Sequence, residues 1–249
     1  MNTELVLIVG SAAFLLAGTV KGLTGLGLPT VAIALLTLAF DPRTAISLVL
    51  FPMIGSNFWQ LLRAGEIART GRRYGLFAFV LFLGVAATTF VTRETTDRAL
   101  LAVLGAVILF FVAFSWKGWV PAIADRFDGA AQVGFGVFAG IIGGMTAGWA
   151  APLAMYLTAR GVDKDEFVRA SGFLIFVGSL PLLAAYAQLG FLTGSLSLAS
   201  ALMLVPTLLG FAAGEALRNR ASPARFRNIL LIVFVFLGLN LIRRAIWFG

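Results

Sequence analysis

One glycine-rich string occurs twice in the chain, and this repetition constrains the fold more than any other feature. The first copy occupies residues 18–29 (GTVKGLTGLGLP) and the second occupies residues 140–152 (GIIGGMTAGWAAP). The prolines that end the two copies are 123 residues apart, and Gly55 lies 123 residues before Gly178. An offset that stays constant across half a chain indicates a duplicated unit. Paired glycine and proline breaks in an apolar chain are typical of secondary transporters.

The composition identifies the solvent of the folded chain as lipid. Hydrophobic residues make up 60% and charged residues only 12% of the sequence, against about 25% charged residues in soluble domains. Cysteine and histidine are absent, which excludes disulfides, thiol or imidazole catalysis and the usual zinc and haem ligands. We therefore expect no cofactor, no metal and no enzymatic activity. The net charge of +8 comes from arginines in short loops and indicates membrane orientation rather than nucleic-acid binding.

Ten apolar runs can be read, five in each half. They are roughly residues 5–20, 23–40, 44–62, 74–92 and 99–116, followed by 131–148, 149–159, 170–188, 195–217 and 228–242. The first two runs of the second half together span residues 131–159, whereas two full membrane spans need about 40 residues. We therefore predict that the first pair of each half is a re-entrant hairpin that breaks near the membrane midplane. Two short, tilted spans are the alternative.

The charges of equivalent loops predict opposite orientations for the two halves. Loop 63–73 carries four arginines and one glutamate, whereas its counterpart, 188–195, carries no charge. Conversely, loop 93–98 is balanced, and its counterpart, 218–227, carries four arginines. Basic loops stay on the cytoplasmic side, so parallel repeats would show the same bias in equivalent loops, and inverted repeats show the opposite bias that is seen here.

The predicted fold is an all-α polytopic membrane protein with two inverted repeats. Each repeat consists of a broken or re-entrant helical hairpin followed by three transmembrane helices. Residues 1–249 form one transmembrane domain, in which residues 1–116 are the first repeat, 117–130 the linker and 131–249 the second repeat.

The glycine-rich strings are candidate anion-binding elements. A broken helix offers free N–H groups and a positive dipole end where it restarts. We predict breaks near residues 21–22 and 143–144, with both restarts facing one midplane cavity. The alternative is that the glycines allow close helix packing. The candidate substrate-binding residues are Lys21, Thr24, Gly25, Gly27, Asn57, Gly144, Thr146, Gly148 and Ser179.

Polar groups inside apolar runs add to this prediction. Lys21 is the only ionisable residue far from a run end in either glycine-rich region, and intramembrane charge indicates a functional site. Alternatively, Lys21 extends to the cytoplasmic surface. Asn57 and Ser179 lie at equivalent places in the two halves, so inversion would bring them to opposite sides of one centre. Helix–helix hydrogen bonds are the alternative role for both.

The chain resembles the sulfite exporter TauE/SafE family, also called the toluene sulfonate uptake permease family, over nearly its whole length. The resemblance rests on the two glycine-rich strings, on segments 42–57 and 170–179, and on 64–67 with its echo 189–192. Family members usually carry more consecutive glycines in the first string. The resemblance implies a bacterial inner-membrane permease for sulfur-containing anions such as sulfite, sulfoacetate and other organosulfonates.

The expected partners are therefore a small anionic substrate and the lipid bilayer, without nucleic acid. An inside-negative potential favours anion exit, and carboxylates that could couple protons are few inside the apolar runs, so we expect export by alternating access. A small-anion channel and a proton-coupled importer of an organic anion are the alternatives. A membrane enzyme is disfavoured because the sequence lacks clusters of histidine, aspartate or glutamate.

Overall fold

The computed structural model describes residues 3–117, 122–218 and 223–247, and all regular elements in these ranges are helical. The helices are α1 Thr3–Thr24, α2 Leu28–Leu36, α3 Pro42–Ala64, α4 Ile67–Val91, α5 Asp97–Lys117, α6 Asp128–Thr146, α7 Ala150–Ala159, α8 Lys164–Gln188, α9 Gly194–Leu202, α10 Leu204–Arg218 and α11 Pro223–Trp247, with a 3₁₀ turn at Asp125–Phe127. Residues 118–121 of the predicted linker, and residues 219–222 of the last arginine-rich loop, lie outside the described residues.

Seven segments of the described chain are long and apolar enough to cross a membrane. They are Val6–Thr24, Pro42–Ala64, Ile67–Val91, Asp97–Trp116, Asp125–Thr146, Lys164–Gln188 and Gly194–Leu217. Each has at least 19 residues, and an α-helix needs about 20 to cross the hydrocarbon core. The prediction of an all-α, polytopic chain is therefore confirmed.

The first helical pair of each half differs from the prediction in two respects. We expected all four helices to be short, but α1 has 22 residues, which gives it a length of about 33 Å. Only α2 and α7, with 9 and 10 residues, are about half the thickness of the hydrocarbon core. The predicted breaks at residues 21–22 and 143–144 are also wrong, because α1 and α6 continue through them to Thr24 and Thr146.

Two pairs of helices pack at very short distance through glycines. α1 packs on α10, and a Cβ atom at Gly210 would overlap the carbonyl oxygen of Leu15. α4 packs on α6, where a Cβ at Gly140 would lie 2.8 Å from the Cα of Gly84. Small residues at helix interfaces allow such backbone contact in membranes. The packing role that the sequence left open for the glycine-rich strings therefore holds for Gly140.

α3 and α8 pack against each other, and both begin at an aspartate cap. Asp41 accepts a hydrogen bond from the backbone N–H of Thr44 (2.9 Å), and Asp163 accepts one from that of Glu166 (2.8 Å). An N-cap carboxylate satisfies one of the free donors of the first turn. The hydrogen bond from Glu166 lowers the pKa of Asp163, so this carboxylate keeps its charge at neutral pH.

The two ends of α3 have different charged surroundings. At its C-terminal end, Arg63 forms an ion pair with Glu215 at the end of α10 (2.7 Å). At its N-terminal end, Arg43 pairs with Asp97, and Ser47 donates a hydrogen bond to the carbonyl oxygen of Phe191 (3.1 Å). The arginine-rich residues 63–73, which the structure divides between the end of α3, a two-residue connection and the start of α4, thus lie at one end of α3, whereas Phe191 of the uncharged segment lies at the other.

Candidate functional site

A cavity of about 320 Å³ lies where the ends of α1, α3 and α10 meet the start of α8. Its lining combines basic, acidic, amide and small side chains from both halves of the chain. The lining residues are Lys21, Gly22, Gly25, Gln60, Arg63, Ala64, Asp165, Val168, Arg169, Phe211 and Glu215. Two of the predicted binding residues, Lys21 and Gly25, are among them.

Lys21 is the most buried charged group of this cavity, with only 1% of its surface exposed. Its Nζ donates a hydrogen bond to Ser56 Oγ (3.1 Å) and lies 5.8 Å from the centre of the Phe211 ring. Within the described ranges, no carboxylate lies within 4 Å of Nζ. The last turn of α1, in which Lys21 stands, favours a cation through the helix dipole, but this cation lacks a charged partner.

A polar stripe on α3 continues from this lysine. Ser56 and Gln60 are four residues apart, and Asn57 and Gln60 are three apart, so all three lie on neighbouring positions of one helix face. All three are buried. Among the residues that the structure describes, the side-chain oxygens of Asn57 and Gln60 have no hydrogen-bond partner, which is unusual for buried polar atoms.

The amide orientations follow from the remaining hydrogen bonds of these two side chains. Gln60 Nε2 donates to the carbonyl oxygen of Val168 (2.7 Å), and Asn57 Nδ2 donates to that of Met53 (2.7 Å). Flipping either amide would place two oxygen atoms against each other. The oxygen is therefore the atom that each amide leaves without a partner.

The charged residues of the cavity give it one net positive charge. They are Lys21, Arg63, Arg169, Asp165 and Glu215. Glu215 is neutralised by Arg63, and Arg169 lies 4.0 Å from Glu66. Of the three basic lining residues, Lys21 alone has no carboxylate within 4 Å in the described part of the chain. The remaining acidic lining residue, Asp165, is exposed at the start of α8, so buried Lys21 is the group of the cavity that can attract an anion.

The first helix break is held by a threonine. Thr24 Oγ1 accepts a hydrogen bond from the N–H of Leu26 (3.2 Å) and lies within bonding distance of the carbonyl oxygen of Val20 (2.9 Å). Gly25 follows with φ 82°, and its N–H donates to the carbonyl oxygen of Lys21 (2.7 Å). This left-handed conformation suits glycine and ends α1.

The second helix break has the same local structure. Thr146 Oγ1 donates to the carbonyl oxygen of Ile142 (2.7 Å) and accepts from the N–H of Gly148 (3.1 Å). Ala147 has φ 54°, and its N–H donates to the carbonyl oxygen of Gly143 (2.8 Å). The two threonines thus stabilise the breaks themselves, whereas the sequence predicted them as ligand donors.

The two helix breaks differ at the position that Lys21 occupies in the first of them. Because the N–H of Gly25 bonds to Lys21 and that of Ala147 bonds to Gly143, Lys21 and Gly143 are equivalent. A Cβ at Gly143 would overlap the indole ring of Trp149, which is buried. The second repeat therefore places an aromatic ring against the backbone position at which the first repeat carries its cation.

The other predicted site residues lie elsewhere. A Cβ at Gly144 would overlap Thr88 Oγ1, so this glycine packs α6 on α4. Ser179 is buried and donates to the carbonyl oxygen of Phe176 (2.6 Å). Gly27 has φ 94° and precedes α2. None of these lines the cavity, and their predicted part in binding stays a prediction.

Several lining residues were not predicted as binding residues, notably Gln60, Val168, Arg169 and Phe211. Gln60 could have been found, because it follows Ser56 and Asn57 by one helical turn within the same apolar run. Val168, Arg169 and Phe211 carry no such signal, because they reach the cavity only through the packing of α8 and α10.

Replacing Thr146 with valine is expected to lower the free energy of unfolding by about 1–3 kcal/mol, because the buried N–H of Gly148 loses its acceptor. Thr146→Ser keeps the hydroxyl and should restore most of the stability. Thr24→Val should cost less, because Thr24 is exposed and water can replace its hydroxyl. Thermal unfolding in detergent measures all three, and an unchanged Thr146→Val protein would contradict the role given to this hydroxyl.

A family model described as "Sulfite exporter TauE/SafE" matches residues 11–241 of the 249-residue chain. The match includes both glycine-rich strings and every residue of the cavity. No curated protein and no solved structure matches the chain.

Proposed function

Because the chain belongs to the sulfite exporter TauE/SafE family of multi-pass membrane transporters, we propose that it exports a small sulfur-containing anion across the bacterial inner membrane. Sulfite, sulfoacetate and other organosulfonates are the proposed substrates. The transported anion occupies the cavity at the end of α1 and binds Lys21.

The buried amino group of Lys21, which has no carboxylate partner among the described residues, is the observation that carries this proposal. A lysine within an apolar helix is costly and is retained where it meets a partner or a ligand. Ser56 and the Phe211 ring provide only partial compensation. An anion in the cavity would supply the missing negative charge through a charge-assisted hydrogen bond. Gly25, which lines the same cavity, lets the ligand approach the backbone.

Alternating access between two inverted repeats, residues 1–116 and 131–249 of one transmembrane domain, is the proposed mechanism. It is supported by the equivalent breaks after Thr24 and Thr146, and by the matching packing of α1 on α10 and of α6 on α4. The cavity lies beside Arg63 and Arg169, at the end that basic residues mark as cytoplasmic. In this proposal, the cavity faces the cytoplasm and the conformation is assigned as inward-facing.

The membrane potential sets the direction of this transport. An inside-negative potential assists the exit of an anion by about 2.3 kcal/mol per charge per 100 mV. Import would need a coupled cation or proton. The carboxylates of the cavity, Asp165 and Glu215, stand at helix ends and not beside Lys21, which favours uncoupled export.

Flux measurements in proteoliposomes test the proposal. Labelled sulfite, sulfoacetate and taurine are loaded separately, and efflux is followed with and without an inside-negative potential. We expect saturable efflux of at least one anion that accelerates with the potential. Saturation and a steep temperature dependence distinguish a carrier from a channel. Efflux of sulfite and sulfoacetate, and of the zwitterion taurine, no faster than in protein-free liposomes would refute the proposed substrate class.

The inverted arrangement predicts that equivalent loops face opposite sides. The chain has no cysteine, so single cysteines can be introduced at Arg69 and Thr193, which lie in or beside equivalent loops of the two halves. We expect an impermeant thiol reagent to label position 69 from the cytoplasmic side and position 193 from the outside. Thr95→Cys is the control and should behave like position 193. Labelling of positions 69 and 193 from the same side would contradict the inversion.

A further inference from the structure

The cavity leaves two kinds of groups unsatisfied, and together they define the ligand more closely than the charge of Lys21 does. One is the ammonium group of Lys21, which has no carboxylate partner in the described part of the chain. The other is the carbonyl oxygen of the lining residue Gln60, which lacks a donor among the described residues; Asn57, beside it on α3 but outside the lining, also has an unpaired oxygen. A ligand that completes this site has to bring both a negative charge and a hydrogen-bond donor.

An anion that only accepts hydrogen bonds does not satisfy the oxygen of Gln60. Gln60 lines the cavity with only 3% of its surface exposed, and its amide nitrogen is held by the carbonyl oxygen of Val168. Its oxygen would stay unpaired beside an alkylsulfonate and would repel the oxygens of a second anionic group. Leaving a buried acceptor unpaired costs the full desolvation of that group.

We infer that the preferred ligand is a sulfur monoanion that also carries a hydrogen-bond donor, and that Gln60 is the residue that selects for the donor. This inference rests on the proposed function. One uncompensated cation matches one negative charge. A hydroxyl or N–H group on the same molecule satisfies Gln60 Oε1.

The spacing along α3 suits a short ligand. Ser56, which holds Lys21, and Gln60 are four residues apart, which corresponds to about 6 Å along the helix axis. A sulfonate at Lys21 and a hydroxyl at Gln60 can therefore belong to a molecule with a chain of about two carbon atoms between them. The cavity volume of about 320 Å³ accommodates such a molecule.

Two probes of equal size test the inference on the purified full-length protein. 2-Hydroxyethanesulfonate carries the donor, and propane-1-sulfonate replaces its hydroxyl with a methyl group. An apolar site would favour propane-1-sulfonate, because the hydroxyl would lose its hydration without a partner. We expect the opposite preference, with 2-hydroxyethanesulfonate binding about tenfold more tightly.

The variant Gln60→Met keeps the length of the side chain and removes its acceptor. It should abolish the preference by weakening only the binding of 2-hydroxyethanesulfonate, while propane-1-sulfonate binds as before or more tightly. Gln188→Met, at an exposed glutamine at the end of α8, is the matched control and should keep the wild-type preference. Retained preference in Gln60→Met would overturn the role of Gln60.

The comparison of the two probes on the wild-type protein needs no variant and decides the inference by itself. If both probes bind equally, if propane-1-sulfonate binds better, or if neither probe binds while sulfite does, the donor requirement is wrong while the proposed function stands. If neither probe binds and sulfite does not bind either, the proposed function fails together with this inference.

Discussion

Replacing Lys21 with alanine is expected to weaken anion binding by one to two decades and to reduce transport accordingly. A charge-assisted hydrogen bond from a buried ammonium group contributes about 1.5–3 kcal/mol. The substitution removes a buried charge that has no ion-pair partner among the described residues, so the protein should fold at least as stably as the wild type. Equilibrium binding and proteoliposome flux on the same purified variant measure the two effects separately.

Two further variants complete this prediction. Lys164→Ala removes an exposed lysine at the start of α8 and should bind and transport the anion as the wild type does. Lys21→Met keeps much of the side-chain volume, and we expect it to fail in the same way as Lys21→Ala. Wild-type affinity in Lys21→Met would mean that this lysine has only a structural role, and the proposed binding site would have to be abandoned.

Substituting alanine for Gly210 is expected to lower the stability of the protein strongly, although alanine is the better helix former. A Cβ at this position would overlap the carbonyl oxygen of Leu15 on α1, and backbone atoms cannot move aside as a flexible side chain can. Forcing extra volume into a packed interface costs about 1–3 kcal/mol or more. Thermal unfolding and the yield of monodisperse protein measure this loss.

Gly75→Ala is the matched control for this prediction. A Cβ at Gly75, inside α4, has no neighbouring atom within 4 Å, so the helix propensity of alanine should raise stability by about 0.5–1 kcal/mol. The two substitutions are chemically identical and should have effects of opposite sign. Equal effects at Gly75 and Gly210 would contradict the close approach of α1 and α10.

The sequence predicts the helical membrane fold, but it misplaces the breaks. It predicts them at residues 21–22 and 143–144 because glycine often interrupts a helix. In the structure, Gly22 allows α1 to approach α10, and Gly144 allows α6 to approach α4. The second break depends on a left-handed Ala147, a residue type that carries no sequence signal for this conformation. Glycine alone does not distinguish a break from a packing contact.

The candidate site was predictable only in part. The sequence predicts Lys21 as a binding residue because an ionisable side chain inside an apolar segment is costly and indicates a functional site. The repeat predicts Thr24 and Thr146 as equivalent ligand donors, but both hydroxyls form hydrogen bonds within the helix breaks. The sequence does not predict Arg169 and Phe211 as cavity residues. The cavity forms between helices that are far apart in the chain, and only their tertiary packing brings these side chains together.

The binding of the substrate anion by Lys21 is tested most directly by a crystal structure with 2-bromoethanesulfonate, whose bromine atom can be located by anomalous scattering. We expect the sulfonate to lie within hydrogen-bond distance of Lys21 Nζ, in the cavity lined by Gln60 and Gly25. We also expect the bromine peak to disappear in Lys21→Met crystals under the same conditions. A sulfonate bound beside Gly148 and Trp149 instead, or a bromine peak that persists at the same place in Lys21→Met, would contradict the binding site proposed at Lys21.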